Sequence, residues 1–138
     1  MKKIYQTVLE ALKDCEIKYY FTNEEEGTVD FIMSGKDTQY QIHLGADEEQ
    51  ELLICMAVFP INVPREKIPN MCVLLNQINH TNAITYFTVD PNEGQITCRY
   101  PCSVDDGAIN KKIVAVAITN AVGSMEMHYE ELVKQIAG

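Results

Sequence analysis

The chain has 138 residues, enough for one domain that buries about two-thirds of its unfolded surface and needs no disulfide or metal staple. Hydrophobic residues at 46% and charged residues at 22% exclude disorder of the whole chain. A net charge of −9, from 20 acids against 11 bases, repels phosphate backbones and anionic lipid, so no nucleic acid and no membrane is expected as a partner.

Residues 3–16 carry Ile4, Val8, Leu9 and Leu12 at helical spacing, a single apolar stripe. Gln6 and Glu10 break any apolar signal-peptide core, and no small-residue cleavage site follows. No window approaches the ~20 apolar residues of a spanning helix. Ile17, Tyr19 and Phe21 alternate and predict a short extended segment before the charged turn NEEEG at residues 23–27.

A first full strand is expected over residues 28–33, with Val29, Phe31 and Met33 on one face. After the polar turn at residues 34–37, Tyr40, Ile42 and Leu44 alternate with Gln39, Gln41 and His43, the mark of a half-buried strand. The turn at residues 47–50 leads into LLICMAVFP, residues 52–60, apolar on both faces. Such a strand is buried on both sides, or one face awaits another part of the fold or a partner.

Pro60 closes that strand. Ile68, Met71, Cys72, Leu75, Ile78 and Asn79 then recur at three and four, and Pro69 implies a loose first turn with regular helix from about that residue. Asn79, His80 and Asn82 supply residues that tolerate a left-handed helix cap. Residues 84–90 and 95–104 make a hairpin, with Pro91-Asn92 at the turn centre and Gly94 at the left-handed bulge position. Phe87 and Val89 are expected to share a face with Ile96, Cys98 and Tyr100. Pro101 ends regular pairing or marks an edge.

Asp105 or Asp106 is expected to cap a final helix over residues 108–136. Its stretch IVAVAITNAV, residues 113–122, is apolar nearly all round, whereas a sheet covers only one stripe of a helix. This helix is therefore expected to touch two things, and a second subunit is a natural candidate. Five strands joined by short turns imply antiparallel pairing in a single α+β domain, residues 1–138: helix, three-stranded antiparallel meander, helix, β-hairpin and a long C-terminal helix packed on the sheet.

Little in the chain points to chemistry. His43, His80 and His128 form no i,i+4 pair, and Cys98 and Cys102 share a strand face roughly 13 Å apart. Cys15, Cys55, Cys72, Cys98 and Cys102 are odd in number and lack a CxxC pair, which suits reduced thiols in a cytoplasmic protein, mostly as small core hydrophobes. The acids at residues 24–26 and 47–49 are solvated turns, and the isolated glycines build no phosphate loop. No catalytic residue, metal or cofactor is expected, and the chain does not read as an enzyme.

One resemblance narrows the function. Tyr40-Gln41-Ile42-His43-Leu44, LICMAVFPINVP at residues 53–64, Leu74-Leu75-Asn76-Gln77-Ile78-Asn79, Phe87-Thr88-Val89-Asp90-Pro91, Gly94-Gln95-Ile96 and Arg99-Tyr100 follow an order that resembles the YbjN-type domain family. The resemblance spans residues 28–137. The family's best-marked point is a helix ending in leucine-asparagine; Ile78-Asn79 keeps the asparagine, while Pro69 and Pro101 depart from the pattern. These proteins are described as bacterial sensory transduction regulators and share the fold of type III secretion chaperones. The resemblance implies a small non-enzymatic protein that acts by binding protein and is often dimeric.

Two functions follow. The first is a protein-binding or regulatory module, a homodimer whose interface draws on Leu53, Cys55 and Ala57, on Met71, Leu74 and Ile78, and on Ile118 and Val122. The alternative is a secretion chaperone that holds an extended segment of a client protein.

Overall fold

The computed structural model describes residues 2–104 and 108–138. Helix α1 (Lys3–Asp14) leads into strand β1 (Tyr19–Asn23), and β2 (Thr28–Ser34), β3 (Gln39–Asp47) and β4 (Leu52–Val58) follow as a meander. A 3-10 turn (Arg65–Lys67) opens α2 (Ile68–Thr81), strands β5 (Tyr86–Val89) and β6 (Ile96–Ser103) form the hairpin, and α3 (Lys111–Ala137) closes the fold. The strands make one antiparallel sheet in the order β1-β2-β3-β4-β6-β5.

The architecture is the expected α+β arrangement with one strand more in the meander. The extra strand is β1, the segment marked by alternating Ile17, Tyr19 and Phe21; its burial is low because it lies at the sheet edge. A bulge between Tyr19 and Phe21 shifts its register against β2.

Helices α1 and α3 lie side by side on one face of the sheet, and α2 packs against β5. The inner face presents Val29 and Phe31, then Tyr40, Ile42 and Leu44, then Leu53, Cys55 and Ala57, then Ile96 and Cys98, all buried. Phe87 pairs with Cys98 and Val89 with Ile96, the face sharing read from the hairpin. Ile4, Val8 and Leu12 of α1 and Val114, Ala117, Ala121 and Met125 of α3 fill the space between. The apolar girth of α3 is thus explained within one copy: the sheet takes one side and α1 the other.

Local departures have local causes. The α1 N-terminus has no cap from its own sequence; the Glu48 carboxylate reaches in from the β3–β4 turn and accepts from the Ile4 and Tyr5 N–H groups, at 3.0 and 2.8 Å. Pro69 sits in the first turn of α2, where its missing N–H costs no helical bond. Neither Asn79, His80 nor Asn82 takes the left-handed conformation; the α2 cap, Asn82, is extended at φ −99°. Gly94 does take it, at φ +75°. Asp90 accepts from the N–H groups of Asn92 and Glu93 in that turn, which holds its carboxyl below the usual range. Pro101 stays paired to Ile54 but lies beyond the end of β5, where β6 has a neighbour on one side only. Helix α3 begins later than expected, at Lys111, and Asn110 caps it by accepting from the Ile113 N–H at 2.9 Å. Asp105 and Asp106 lie outside the described residues.

Candidate protein interface

Strand β4 places its two apolar faces very differently. Leu53, Cys55 and Ala57 point inward and are fully buried. Leu52, Ile54, Met56 and Val58 point outward and stay half-buried, because no helix of the described chain covers the outer face of the sheet. Across the register the outer face reads in rows. Phe21, Asp30, His43, Met56, Arg99 and Tyr86 form one row through all six strands. Ile32, Gln41, Val58, Thr97 and Thr88 form the next, and Thr28, Gly45, Ile54 and Pro101 lie on the other side.

The polar groups of this face mostly hold one another. His43 Nδ1 pairs with Asp30 Oδ1. Thr88 and Thr97 share a hydroxyl–hydroxyl bond, and Arg99 Nε donates to the Thr97 hydroxyl at 3.3 Å. Large apolar side chains stand among them: Ile32 at 51% exposure and Phe21 at 50% lie in solvent on the strands outside β3, and Tyr20 at 57% is exposed while its hydroxyl accepts from Gln41 Nε2 at 2.5 Å. Large apolar side chains grouped on one face mark interaction surfaces more often than scattered ones do.

The ends of the face differ in charge. The β1–β2 and β3–β4 turns bring Glu24, Glu25, Glu26, Asp47, Glu48 and Glu49 around a depression of about 450 Å³ that reaches Gly45 and Ile54. At the opposite end a hollow of about 420 Å³ is lined by Tyr20, Ile32, Gln41, Val58, Asn62 and Gln95 among others, without a charged side chain.

A second apolar surface lies on the helix side. Met127 of α3, 80% exposed, joins two grooves of about 480 and 580 Å³, an apolar one shared with Ile84 and Gly123 and a charged one where Leu74 lies among Glu130, Glu131, Lys134 and Gln135. Val73 stands exposed on the neighbouring α2. Beneath these grooves Asn82 Nδ2 donates to Thr85 Oγ1, which donates to Ser124 Oγ, both at 2.8 Å. This buried chain also touches Cys98, yet burial dominates and pushes the Cys98 thiol up to about 11.

Of the eight interface residues expected from sequence, Leu53, Cys55, Ala57, Met71, Ile78 and Ile118 belong to the monomer core. Leu74 and Val122 are partly buried at its margin. A strand apolar on both faces, as β4 is, carries no internal sign of which face is outside. Its neighbour gives that sign: Tyr40, Ile42 and Leu44 alternate inward, and a turn pairing Asp47 with Leu52 forces Leu53, Cys55 and Ala57 to the same side. The thiols also divide: Cys55 and Cys98 are buried, with Cys55 likewise pushed up by burial, whereas Cys15 and Cys72 are exposed. Among the described residues no three metal-ligating side chains converge, and no helix is long and apolar enough to cross a membrane.

Solved structures of the same fold share little sequence with this chain. YbjN of E. coli, described as a putative transcription regulator, is 12% identical with a TM-score of 0.68, covering 89% of this chain and 86% of its own. The Yersinia pestis type III secretion chaperone SycH, solved with a stable fragment of YscM2, is 14% identical with a TM-score of 0.58, over 87% of this chain and 94% of that one. The HopA1–SchA chaperone–effector complex contributes a chain 15% identical with a TM-score of 0.62, over 94% of this chain and 95% of that one. At such identities the likeness establishes the fold. No curated protein matches the sequence. Residues 5–134 match the model of the family described as "putative bacterial sensory transduction regulator", and the chain belongs to that family, YbjN.

Proposed function

We propose that this protein is a non-catalytic protein-binding module of the regulator type, acting as a homodimer in the cytoplasm. The observation that carries the reading is the bare outer sheet face, where the β4 line of Leu52, Ile54, Met56 and Val58 has no covering element.

Two separate apolar surfaces suit two separate contacts. The helix-side patch of Leu74, Met127 and Ile84 is assigned to the second copy and the outer sheet face to a protein partner. Val122 is partly buried at the edge of the core. Catalysis finds no support in the thiols, since burial keeps Cys55 and Cys98 protonated. Nor do the histidines converge: His43 pairs with Asp30 on the sheet and His128 with Glu131 on α3. A net charge of −9 disfavours nucleic acid.

A second reading, a secretion chaperone dedicated to one client, draws on the two chaperone complexes of the same fold. The readings separate by co-purification from the native host, where one stoichiometric protein favours the chaperone. Sedimentation at micromolar concentration tests the homodimer. Dimer that dissociates in Leu74→Asp with Met127→Asp supports it, and monomer at every concentration removes it.

A further inference from the structure

We propose that the outer sheet face seats an amphipathic helix of a partner protein, with lysine or arginine at the end that lies over residues 24–26 and 47–49. The inference rests on the protein-binding reading and names what that surface takes. The apolar line on β4 is one strand wide. Gly45, His43 and Gln41 flank it on β3, and Pro101, Arg99 and Thr97 flank it on β6. Alternate residues of a strand stand about 6.7 Å apart, and residues four apart on a helix about 6 Å. A helix laid along β4 therefore keeps step with Ile54, Met56 and Val58, and its polar flanks meet polar strands.

The backbone argues for a helix over an extended segment. Central strands have their N–H and C=O groups engaged in the sheet, so a face offers none to a ligand. An extended segment lying there leaves its own amides dependent on water, whereas a helix brings them already bonded. Helices α1 and α3 make this same kind of packing on the inner face.

Charge sets the orientation. Five carboxylates, those of Glu24, Glu25, Glu26, Asp47 and Glu49, gather at one end of the line, while Glu48 beside them is engaged by the α1 N-terminus. Lys2 is the one basic residue among the described residues lining that depression, and its amine donates to the Glu24 carbonyl. Gly45 extends the depression onto the sheet, since a Cβ there would meet nothing within 4 Å. Among the described residues, none that lines the far end of the line is charged. Clustered like charges of this kind raise the affinity and the encounter rate of an oppositely charged segment.

The test uses the full chain and a labelled synthetic peptide with lysines in its first turn and leucines at i, i+4 and i+7. One counterpart peptide carries glutamate for lysine, and another carries a central proline. Fluorescence anisotropy and circular dichroism should show the lysine peptide binding and gaining helix. Binding should weaken about tenfold or more on the lysine-to-glutamate exchange and again at high salt. Ile54→Glu should abolish it, with the fold of that variant checked by circular dichroism. The double variant Glu25→Lys with Glu49→Lys, both on exposed turns, should lose the preference for lysine. Equal binding of the lysine and glutamate peptides overturns the proposal, as does undiminished binding of the proline peptide or of Ile54→Glu. Failure alongside a stoichiometric native partner sinks this site alone; failure with no partner and no dimer sinks the protein-binding reading as well.

Discussion

The Asn79 carboxamide bonds both backbone groups of Phe87: its Oδ1 accepts from the Phe87 N–H at 2.7 Å, and its Nδ2 donates to the Phe87 carbonyl at 3.0 Å. A side chain thus stands where a seventh strand would pair, and it ties α2 to the outer edge of β5. This gives the asparagine near the end of α2 a physical reason. Replacing it by alanine strands a partly buried N–H and carbonyl, a loss of about 1–3 kcal/mol. Urea unfolding of Asn79→Ala should show that loss, with faster amide exchange at Phe87. Asn79→Asp keeps the acceptor and should fall between the two.

Glu48 offers a cleaner test of a cap supplied from elsewhere in the chain. Its carboxylate serves the Ile4 and Tyr5 N–H groups from 44 and 43 residues away. Glu48→Ala should cost about 1–2 kcal/mol, and proteolysis should then clip α1 before the rest of the domain. A variant with unchanged stability and unchanged α1 protection would show that the cap contributes nothing.

The glycines divide sharply. A Cβ at Gly94 would lie 2.1 Å from the Val63 carbonyl oxygen, and its φ of +75° is itself unfavourable for any other residue. Gly94→Ala should therefore cost about 2 kcal/mol or more. Gly123 lies within α3, and a Cβ there would meet nothing within 4 Å. Gly123→Ala should stabilise the fold by up to about 1 kcal/mol through helix propensity alone. Thermal melts of the two variants should move in opposite directions.

The alkaline limb of the stability curve follows from three inner-face groups. Tyr40 is raised above its ordinary 10.0, by burial first and then by its hydroxyl bond to Glu126. Burial raises Cys98 from 9.0 to about 11 and raises Cys55 as well. In all three, the folded state holds the proton more tightly than the unfolded state does. Their contributions are fully present below the unfolded values and are lost as pH rises through the folded ones. Stability should begin to fall near pH 9 and fall further above 10. Tyr40→Phe should flatten the second part of that fall while weakening the protein at neutral pH, since the Glu126 carboxylate keeps only the Lys36 N–H among these two donors.

Thiol labelling of the native protein reads the same core. Cys15 and Cys72 should react with iodoacetamide at the rate of an ordinary exposed thiol. Cys55 and Cys98 should react only through opening of the fold, slower by about 10³-fold or more. Rapid labelling of either buried thiol would overturn this account of the inner face.

The features legible in the sequence were those with local causes. The alternation around Ile42, the spacing around Leu75 and the turn chemistry of Asp90 and Gly94 each act within a few residues, and each element appears where its pattern lies. What escaped depends on distant residues. The cap of α1 comes from Glu48, the partner of Asn79 is Phe87, and the second neighbour of α3 is α1. The interface suffered from the same blindness. Leu53 and Ile54 are equally apolar, and only pairing with β3 decides which one meets solvent.

The two edges of the sheet are not equivalent. Asn79 occupies the β5 edge, whereas β1 leaves its outer backbone groups unpaired by any strand of the described chain, with a bulge at Tyr19 as its protection. Polymerisation by strand pairing needs a receptive edge at both ends of every copy. This fold has one. Edge-to-edge growth from β1 closes after two copies, so the asymmetry protects against filament formation even under conditions that expose β1 fully.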